Sequence, residues 1–496
     1  MKEDTKEWLE ENPTLKRFEK KHPALAAFLG KRFSKSKPYG RRFTGGLLSS
    51  LVLFFIFLEI AFDVVSRESA ALDQSITNFL YTFRNLPFAK YFLLFTDLGD
   101  VQGVLVLAVV LVLLFLMLGK KREALFSAFT LLFGEVSYAV MKLIIARPRP
   151  SLWYALVPRS GFSFPSGHSV GSVVFYGFGC YLISRMVEKK SAKAFWWFLA
   201  IFIPLNVGLS RIYLGVHWTS DVLGGWTLGL AIAVLSAFLM KELEGKRPMD
   251  KVPVFQKRSI YRITAGLLAL AIVFIVYFYN NNPLEYKIPP LPASPVVVSA
   301  TSSIEGLVAE SSFPKFSESI AGDPMEPMSL IVVGSEASLK QAFFNEGWVV
   351  ADPPTTANFI KLGLAAIEGK PYPAAPASPS FLNAEPQLIT FEKNVGGTFI
   401  VRHHTRFWQT RFLYAGQLVW VASASFDSGL TSYLVYHQIS PDIDTERDYI
   451  ASDLLQSGLV TSESKVQFVH PMMGENFAAE PFFTDGKAYI IFLRNS

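Results

Sequence analysis

Apolar runs close to the length of a membrane crossing recur through the first 280 residues, and none follows. A helix needs about 20 residues to cross bilayer hydrocarbon. Residues 47–65, 101–118, 124–146, 168–186, 195–213, 220–240 and 261–279 come near that length, the third and fifth with polar residues near their ends. They predict seven spanning helices. The first 42 residues are charged and hold no apolar core of the cleavable-signal type, so the first span reads as an uncleaved signal anchor.

The pattern changes after residue 279. "NNNPLEYKIPPLPASP" is a Pro- and Asn-rich linker. Beyond about residue 328 the periods are those of a soluble α+β domain. "SLIVVG" and "QLVWVASASF" read as strands, "EASLKQAFFNEGW" and "DTERDYIASDLLQSG" as helices, and "GKPYPAAPASPSF" as a loop. The expected division is a basic segment 1–42, a membrane core 43–245, a connection and seventh span 246–280, a linker 281–327 and the α+β domain 328–496.

Composition supports the membrane assignment. Hydrophobic residues make up 51% of the 496 and mean hydropathy is +0.31. The single cysteine, Cys180, lies in an apolar run, so no intramolecular disulfide forms and cysteine is silent on redox compartment. The net charge of +6 conceals an asymmetry. Residues 1–280 carry 34 Lys and Arg against 19 Asp and Glu, whereas residues 281–496 carry 13 against 22. The basic half is the apolar half, which points to membrane topology and away from nucleic acid. Basic residues crowd the N-terminal segment, 120–122, 185–193 and 241–262. The positive-inside rule then puts the N-terminus in the cytoplasm and, after seven crossings, the C-terminal domain outside. The expected location is an inner (cytoplasmic) membrane.

Three polar motifs fall on the outer side of that topology. "KLIIARPRP" ends the third span with Lys142, Arg147 and Arg149; "PSGH" opens the fourth with Ser166, Gly167 and His168; "SRIYLGVHWTSD" joins the fifth and sixth with Ser210, Arg211, His217 and Asp221. Charged groups beside apolar spans are costly and mark function. Arginine forks match phosphate oxygens, and lysine adds a point charge. Ser166 suits a helix N-cap, whose backbone N–H groups and dipole favour an anion. Gly167 lets that backbone approach a ligand closely. His217 and Asp221, four apart, share a helix face, so the carboxylate can hold one ring nitrogen and free the other to attack. His168, at the lip, is placed to protonate a leaving oxygen. Arg147 and Arg159 read as snorkelling anchors. Asp97 and Asp100 read as a turn before the second span.

At these residues the sequence resembles the type 2 phosphatidic acid phosphatase superfamily of integral-membrane lipid phosphatases. That signature is Lys, six residues, Arg-Pro; then Pro-Ser-Gly-His; then Ser-Arg, five residues, His, three residues, Asp. Here every spacing is kept, over roughly residues 40–240. The resemblance implies a six-helix core, a phosphohistidine intermediate and no metal or other cofactor. Carried over, Lys142, Arg149, Arg211, Ser166 and Gly167 bind phosphate, His217 is the nucleophile oriented by Asp221, and His168 is the general acid and then base. Vanadium-dependent haloperoxidases share the signature but are typically not built from spanning helices. The tail is similar to the LssY-type C-terminal domain through "RHHTRFW" and "DIDTERD". His403, His404, His437, Asp442 and Asp444 raise the idea of a metal site. Neighbouring histidines on a strand face opposite ways, so a structural or surface role is the expectation.

The expected activity is hydrolysis of a lipid phosphate or diphosphate of the undecaprenyl diphosphate, phosphatidylglycerol phosphate or phosphatidic acid class at the outer leaflet. The expected partner is the lipid itself, with an envelope component or partner protein for the C-terminal domain. Two other classes stand beside it: phosphoryl transfer to an envelope acceptor, and a membrane anchor whose tail is the working binding module.

Overall fold

The computed structural model describes residues 17, 20–33, 41–150, 155–157, 161–244, 296–297, 303–396, 400–430, 437–476 and 479–494. The expected seventh span, residues 281–295 and 298–302 of the expected linker, and Arg159 lie outside these; from residue 303 the expected linker is folded into the second unit as helix Ile304–Ala309 and strands Phe316–Glu318 and Pro324–Pro327. The chain divides into two compact units, residues 1–69 with 84–287 and residues 70–83 with 288–496.

Helices α1 (Arg41–Ser66), α2 (Ala70–Thr82), α3 (Leu86–Leu98), α4 (Val101–Met117) and α5 (Lys121–Ile145) open the described chain after a short helix Pro23–Phe33. Next comes α6, built of α-helix Gly167–Ser172, a π turn Val173–Gly177 and α-helix Phe178–Met186. Helices α7 (Lys190–Tyr213) and α8 (Thr219–Glu244) follow. All except α2 belong to the first unit. Among the described residues α1, α5, α7 and α8 are long and apolar enough to cross a membrane. Helices α3 and α4, bent by 49°, make a fifth such span if they cross as one. The bend has a local cause. Asp100 accepts from the Gln102 N–H at 3.1 Å and caps α4, while Asn85 caps α3 through the Phe88 N–H at 2.9 Å. The expected second span is therefore α4 with a separate capped helix before it.

Between spans the driving force is close packing and not water exclusion, because lipid is as apolar as leucine. Phe57, Ala61, Phe164, Val170, Val174, Leu228 and Ile232 form one buried cluster joining α1, α6 and α8. The Phe57 and Phe164 rings stack at 5.8 Å. Phe164 thus anchors the chain just before Ser166. At Gly225 of α8 an added Cβ would stand 2.7 Å from the Ser166 carbonyl, so only glycine lets α8 reach the start of α6. Large apolar side chains such as Phe62 and Leu143 face outward, as a lipid surface requires.

The second unit is α+β. Its main sheet contains β1 (Leu330–Val333), β2 (Val349–Val350), β3 (Ile389–Asn394), β4 (Arg402–Tyr414), β5 (Gln417–Leu430), β6 (Val460–Gln467) and β7 (Lys487–Leu493), in the order β6-β7-β1-β5-β4-β3-β2. Val296–Val297 pairs with β4 and His437–Ile439 with β5. Most pairings are antiparallel; β7 with β1 and Val296–Val297 with β4 are parallel. The period of two sorts the core. Leu330 and Val332 face a cluster with α9 (Glu336–Asn345) and α10 (Ile443–Gln456), while Ile331 and Val333 face one with helix Ile304–Ala309 and Trp408. Helix α2 belongs here: Asn78 donates to the Ala384 carbonyl at 2.9 Å, and Phe79 packs edge-on to Phe381 at 6.3 Å.

Candidate active site

The three motifs converge at one end of the first unit. Ser166 is buried and caps α6, its Oγ accepting the Ser169 N–H at 3.4 Å. Its own N–H donates to the Asp221 carbonyl at 2.9 Å, which ties the start of α6 to the start of α8. Gly167 has a steric reason beyond ligand access: a Cβ there would lie 2.9 Å from the Tyr138 ring of α5. His168 follows in the first turn of α6.

His217 sits in the turn between α7 and α8, its N–H and that of Val216 donating back to the Arg211 carbonyl at 3.3 and 3.1 Å. Both ring nitrogens are engaged. Nδ1 lies 3.1 Å from Asp221 Oδ2, and Nε2 lies 3.1 Å from Arg149 Nη1. Guanidinium can only donate, so Nε2 accepts and the ring proton resides on Nδ1, facing the carboxylate. That is the tautomer a nucleophilic imidazole requires. His217 and Asp221 are almost wholly buried, at 2% and 0% exposure.

Asp221 is held from several sides. Oδ2 also accepts the Trp218 N–H at 2.9 Å; Oδ1 accepts Arg147 Nη1 at 2.8 Å and the Ser163 hydroxyl at 3.4 Å. Arg147 therefore is not a snorkelling anchor. It donates to Ser220 Oγ at 2.7 Å as well, and its guanidinium lies over the Trp218 ring at 5.6 Å. A cation at a span end reads as an anchor in sequence because its partner is 74 residues away.

The other cations surround this pair. Arg149 donates to the Val216 carbonyl at 2.7 Å and the Gly161 carbonyl at 3.1 Å; Lys142 donates to the Phe162 carbonyl at 2.9 Å. Arg211, at 1% exposure, donates to Thr96 Oγ1. Carbonyl and hydroxyl oxygens are the acceptors that phosphate oxygens would replace. Asp100 does more than close a turn: its Oδ2 stands 4.0 Å from His168 Nε2. Thr96, Asp100, Arg147 and Ser163 thus join the neighbourhood without a sequence signal beyond polarity at helix ends.

The residues of the second unit that raised a metal site scatter. Among the described residues no group of three or more His, Cys, Asp or Glu could hold a metal ion. His403 bonds Glu446 Oε2 at 2.8 Å and stacks on Tyr449 at 4.1 Å. His404 faces the opposite side of β4, where Arg402 pairs with Glu392 at 2.7 Å and Asp427 at 2.8 Å, and His404 Nδ1 lies 3.3 Å from Asp427. Burial pushes the Glu392 carboxyl up to about 8 and the His404 imidazole down to about 4. Asp442 caps α10, while Asp444 accepts from Thr484 Oγ1, the Asp485 N–H and Arg447 at 2.7, 2.6 and 2.8 Å. His437 lies on the strand paired with β5. Both tail motifs therefore build the fold: one a buried ionic layer, the other the clamp of α10.

Residues 123–243 match the PAP2 superfamily and residues 311–488 the LssY C-terminus family. Phosphatidylglycerophosphatase B of Bacillus subtilis is 33% identical over 198 residues, covering 40% of this chain and 94% of that protein. An undecaprenyl-diphosphatase of Sulfolobus acidocaldarius is 28% identical, covering 41% and 93%. The crystal structure of the transmembrane PAP2-type phosphatidylglycerolphosphate phosphatase of Bacillus subtilis aligns with a TM-score of 0.37 at 30% identity, over 40% of this chain and 97% of that one.

Proposed function

The chain belongs to the PAP2 superfamily and is a membrane lipid phosphatase, and from that membership we propose that it removes the terminal phosphate of an isoprenoid diphosphate or a phospholipid monoester through a phosphohistidine at His217. The observation that carries the proposal is the His217 imidazole held between Asp221 and Arg149. At rest the Arg149 N–H occupies the Nε2 lone pair. A substrate phosphate offers Arg149 stronger, charged acceptors, which releases the lone pair as the phosphorus arrives. Binding and activation of the nucleophile become one event.

Nε2 then attacks phosphorus in line with the ester oxygen. The Nε2–P bond forms, the P–O bond breaks, and protonated His168 gives its proton to the leaving oxygen. Lys142, Arg149 and Arg211 hold the charge on the three remaining oxygens. Asp221 compensates the imidazolium that results. In the second half His168 takes a proton from water, whose oxygen forms the new bond to phosphorus as Nε2–P breaks. Inorganic phosphate leaves and His217 returns to its starting state.

In the orientation that loop charges favour, the active end lies on the outer leaflet. The names of two relatives, a phosphatidylglycerophosphatase and an undecaprenyl-diphosphatase, support phosphatidylglycerol phosphate and undecaprenyl diphosphate as first substrates to try. The test is phosphate release by the purified full chain in detergent with EDTA, from these two lipids and phosphatidic acid. Release from at least one, abolished by His217→Ala, is expected. Release from none, or equal release by the variant, removes the proposal.

A further inference from the structure

Away from the catalytic end, α6, α7 and α8 leave a groove between them. Its volume is about 520 Å³ and its lining includes Val173, Tyr181, Ile201, Trp226, Ala237 and Lys241. That size is within the roughly 300–1,000 Å³ of small-ligand sites and far above the gaps of a packed interior. Its origin is local. The π turn Val173–Gly177 widens α6, Pro204 interrupts the ladder of α7, and small residues face each other at Gly177, Ala200, Ala233 and Ala237.

The groove is apolar along its length and cationic at one end. From Trp226 to Lys241 it follows α8 for about 22 Å at 1.5 Å per residue. Lys241 closes it in the last turn of α8. The helix ends that meet there add Arg185, whose guanidinium lies over the Tyr181 ring at 5.7 Å, and Lys189, Lys190 and Lys193. Glu188, Glu242 and Glu244 are the acids on these helix ends, and Arg122 of α5 donates to the Leu243 carbonyl at 3.4 Å, so cations lead six to three. The catalytic groups occupy the opposite ends of the same helices: His168 begins α6, Arg211 is in the last turn of α7, and Asp221 is in the first turn of α8. Asp221 and Lys241 are separated by about 30 Å of helix, the thickness of bilayer hydrocarbon. A substrate with its phosphate at His217 therefore cannot also place that phosphate at Lys241.

We propose that the groove holds one anionic phospholipid from the leaflet opposite the active site, with an acyl chain along α8 and its phosphate paired to Lys241. A chain fills apolar volume that side chains leave open, and the headgroup meets the cations at the helix ends. This lipid is a second ligand, not the substrate, and the inference stands whether or not the catalytic mechanism above holds.

The test is native mass spectrometry of the full chain in detergent, equilibrated with equimolar phosphatidylglycerol and phosphatidylcholine of matched chains. One retained phosphatidylglycerol per chain is expected in preference to phosphatidylcholine. Lys241→Gln should lower that preference about five-fold, the value of one cation near a lipid headgroup. Ala237→Trp should remove retention of both lipids; should it fail to fold, Ala233→Leu carries the same arm. Equal retention of the two lipids, or a preference unchanged by Lys241→Gln, overturns the proposal. So does efficient disulfide formation, in a Cys180→Ser background, between a cysteine at 237 and one placed within 261–279, which would assign the groove to the chain's own apolar segment.

Discussion

Replacing Asp221 by asparagine changes one atom and sets two requirements against each other. The carboxylate accepts at both oxygens: Oδ2 from His217 Nδ1 and the Trp218 N–H, Oδ1 from Arg147 and Ser163. An amide has one accepting oxygen. If that oxygen faces His217, the NH2 group faces the Arg147 guanidinium, donor against donor, and a buried cation loses its partner. If it faces Arg147, the NH2 group meets Nδ1, which must then accept; the ring proton moves to Nε2, and the attacking lone pair is gone. Breaking a buried ion pair costs about 3–5 kcal/mol of stability. The wrong tautomer in a histidine–carboxylate pair lowers kcat about 10⁴-fold. The two costs separate in Asp221→Asn combined with Arg147→Met, which removes the stranded cation. Thermal unfolding of the double variant should return most of the way to wild type while single-turnover phosphate release stays about 10³-fold or more below it. Activity that recovers together with stability, or an Asp221→Asn enzyme within tenfold of wild type, would refute the orienting role of Asp221.

Arg147 and Arg149 should separate in kinetics although they are two residues apart. Arg147→Gln, which loses contact with Asp221, should lower kcat about 10- to 100-fold with little change in KM if Arg147 acts only through the carboxylate proposed to orient His217. Arg149→Lys should raise KM as well, and a reversed pattern would exchange their roles. In the second unit Glu392 binds its proton more tightly folded, at about 8, than unfolded, at 4.5, so its contribution falls as pH rises through that interval. His404 acts oppositely, but only between about 4 and 6.5. Between pH 6.5 and 8 the sheet should therefore lose up to about 2 kcal/mol, read as faster amide exchange in β3–β5 of the full chain. Glu392→Gln should flatten that interval, and an unchanged slope in the variant would contradict the assignment.

Local signals made the catalytic frame legible. The Ser166 cap and the cations at span ends are short-range features that appear where their pattern puts them; His217 does meet Asp221, but from the turn before α8 and not from a shared helix face. The strands 330–333 and 417–430 and the helices 336–345 and 443–456 likewise follow from their periods. What stayed hidden is long-range. Arg147 looks like any span-end cation until α8 delivers Asp221 to it, and Asp100 looks like a cap, which it is, until α6 brings His168 within 4.0 Å. Helix α2 has no motif; long-range contacts, among them its hydrogen bond and ring contact near residues 381–384, assign it to the second unit. The pair His403–His404 resembles a metal ligand set in one dimension; the pleat sends one ring to Tyr449 and the other into the Arg402 layer.

The most direct test is to trap the covalent enzyme. The full chain is mixed with a lipid carrying labelled terminal phosphate, quenched in base within a single turnover, and its peptides are mapped by mass spectrometry. Acid-labile label on the peptide containing His217, formed and lost at rates that account for turnover and absent in His217→Ala, is the expected result. Label on another residue, or complete turnover with no enzyme-bound label at any quench time, would contradict it.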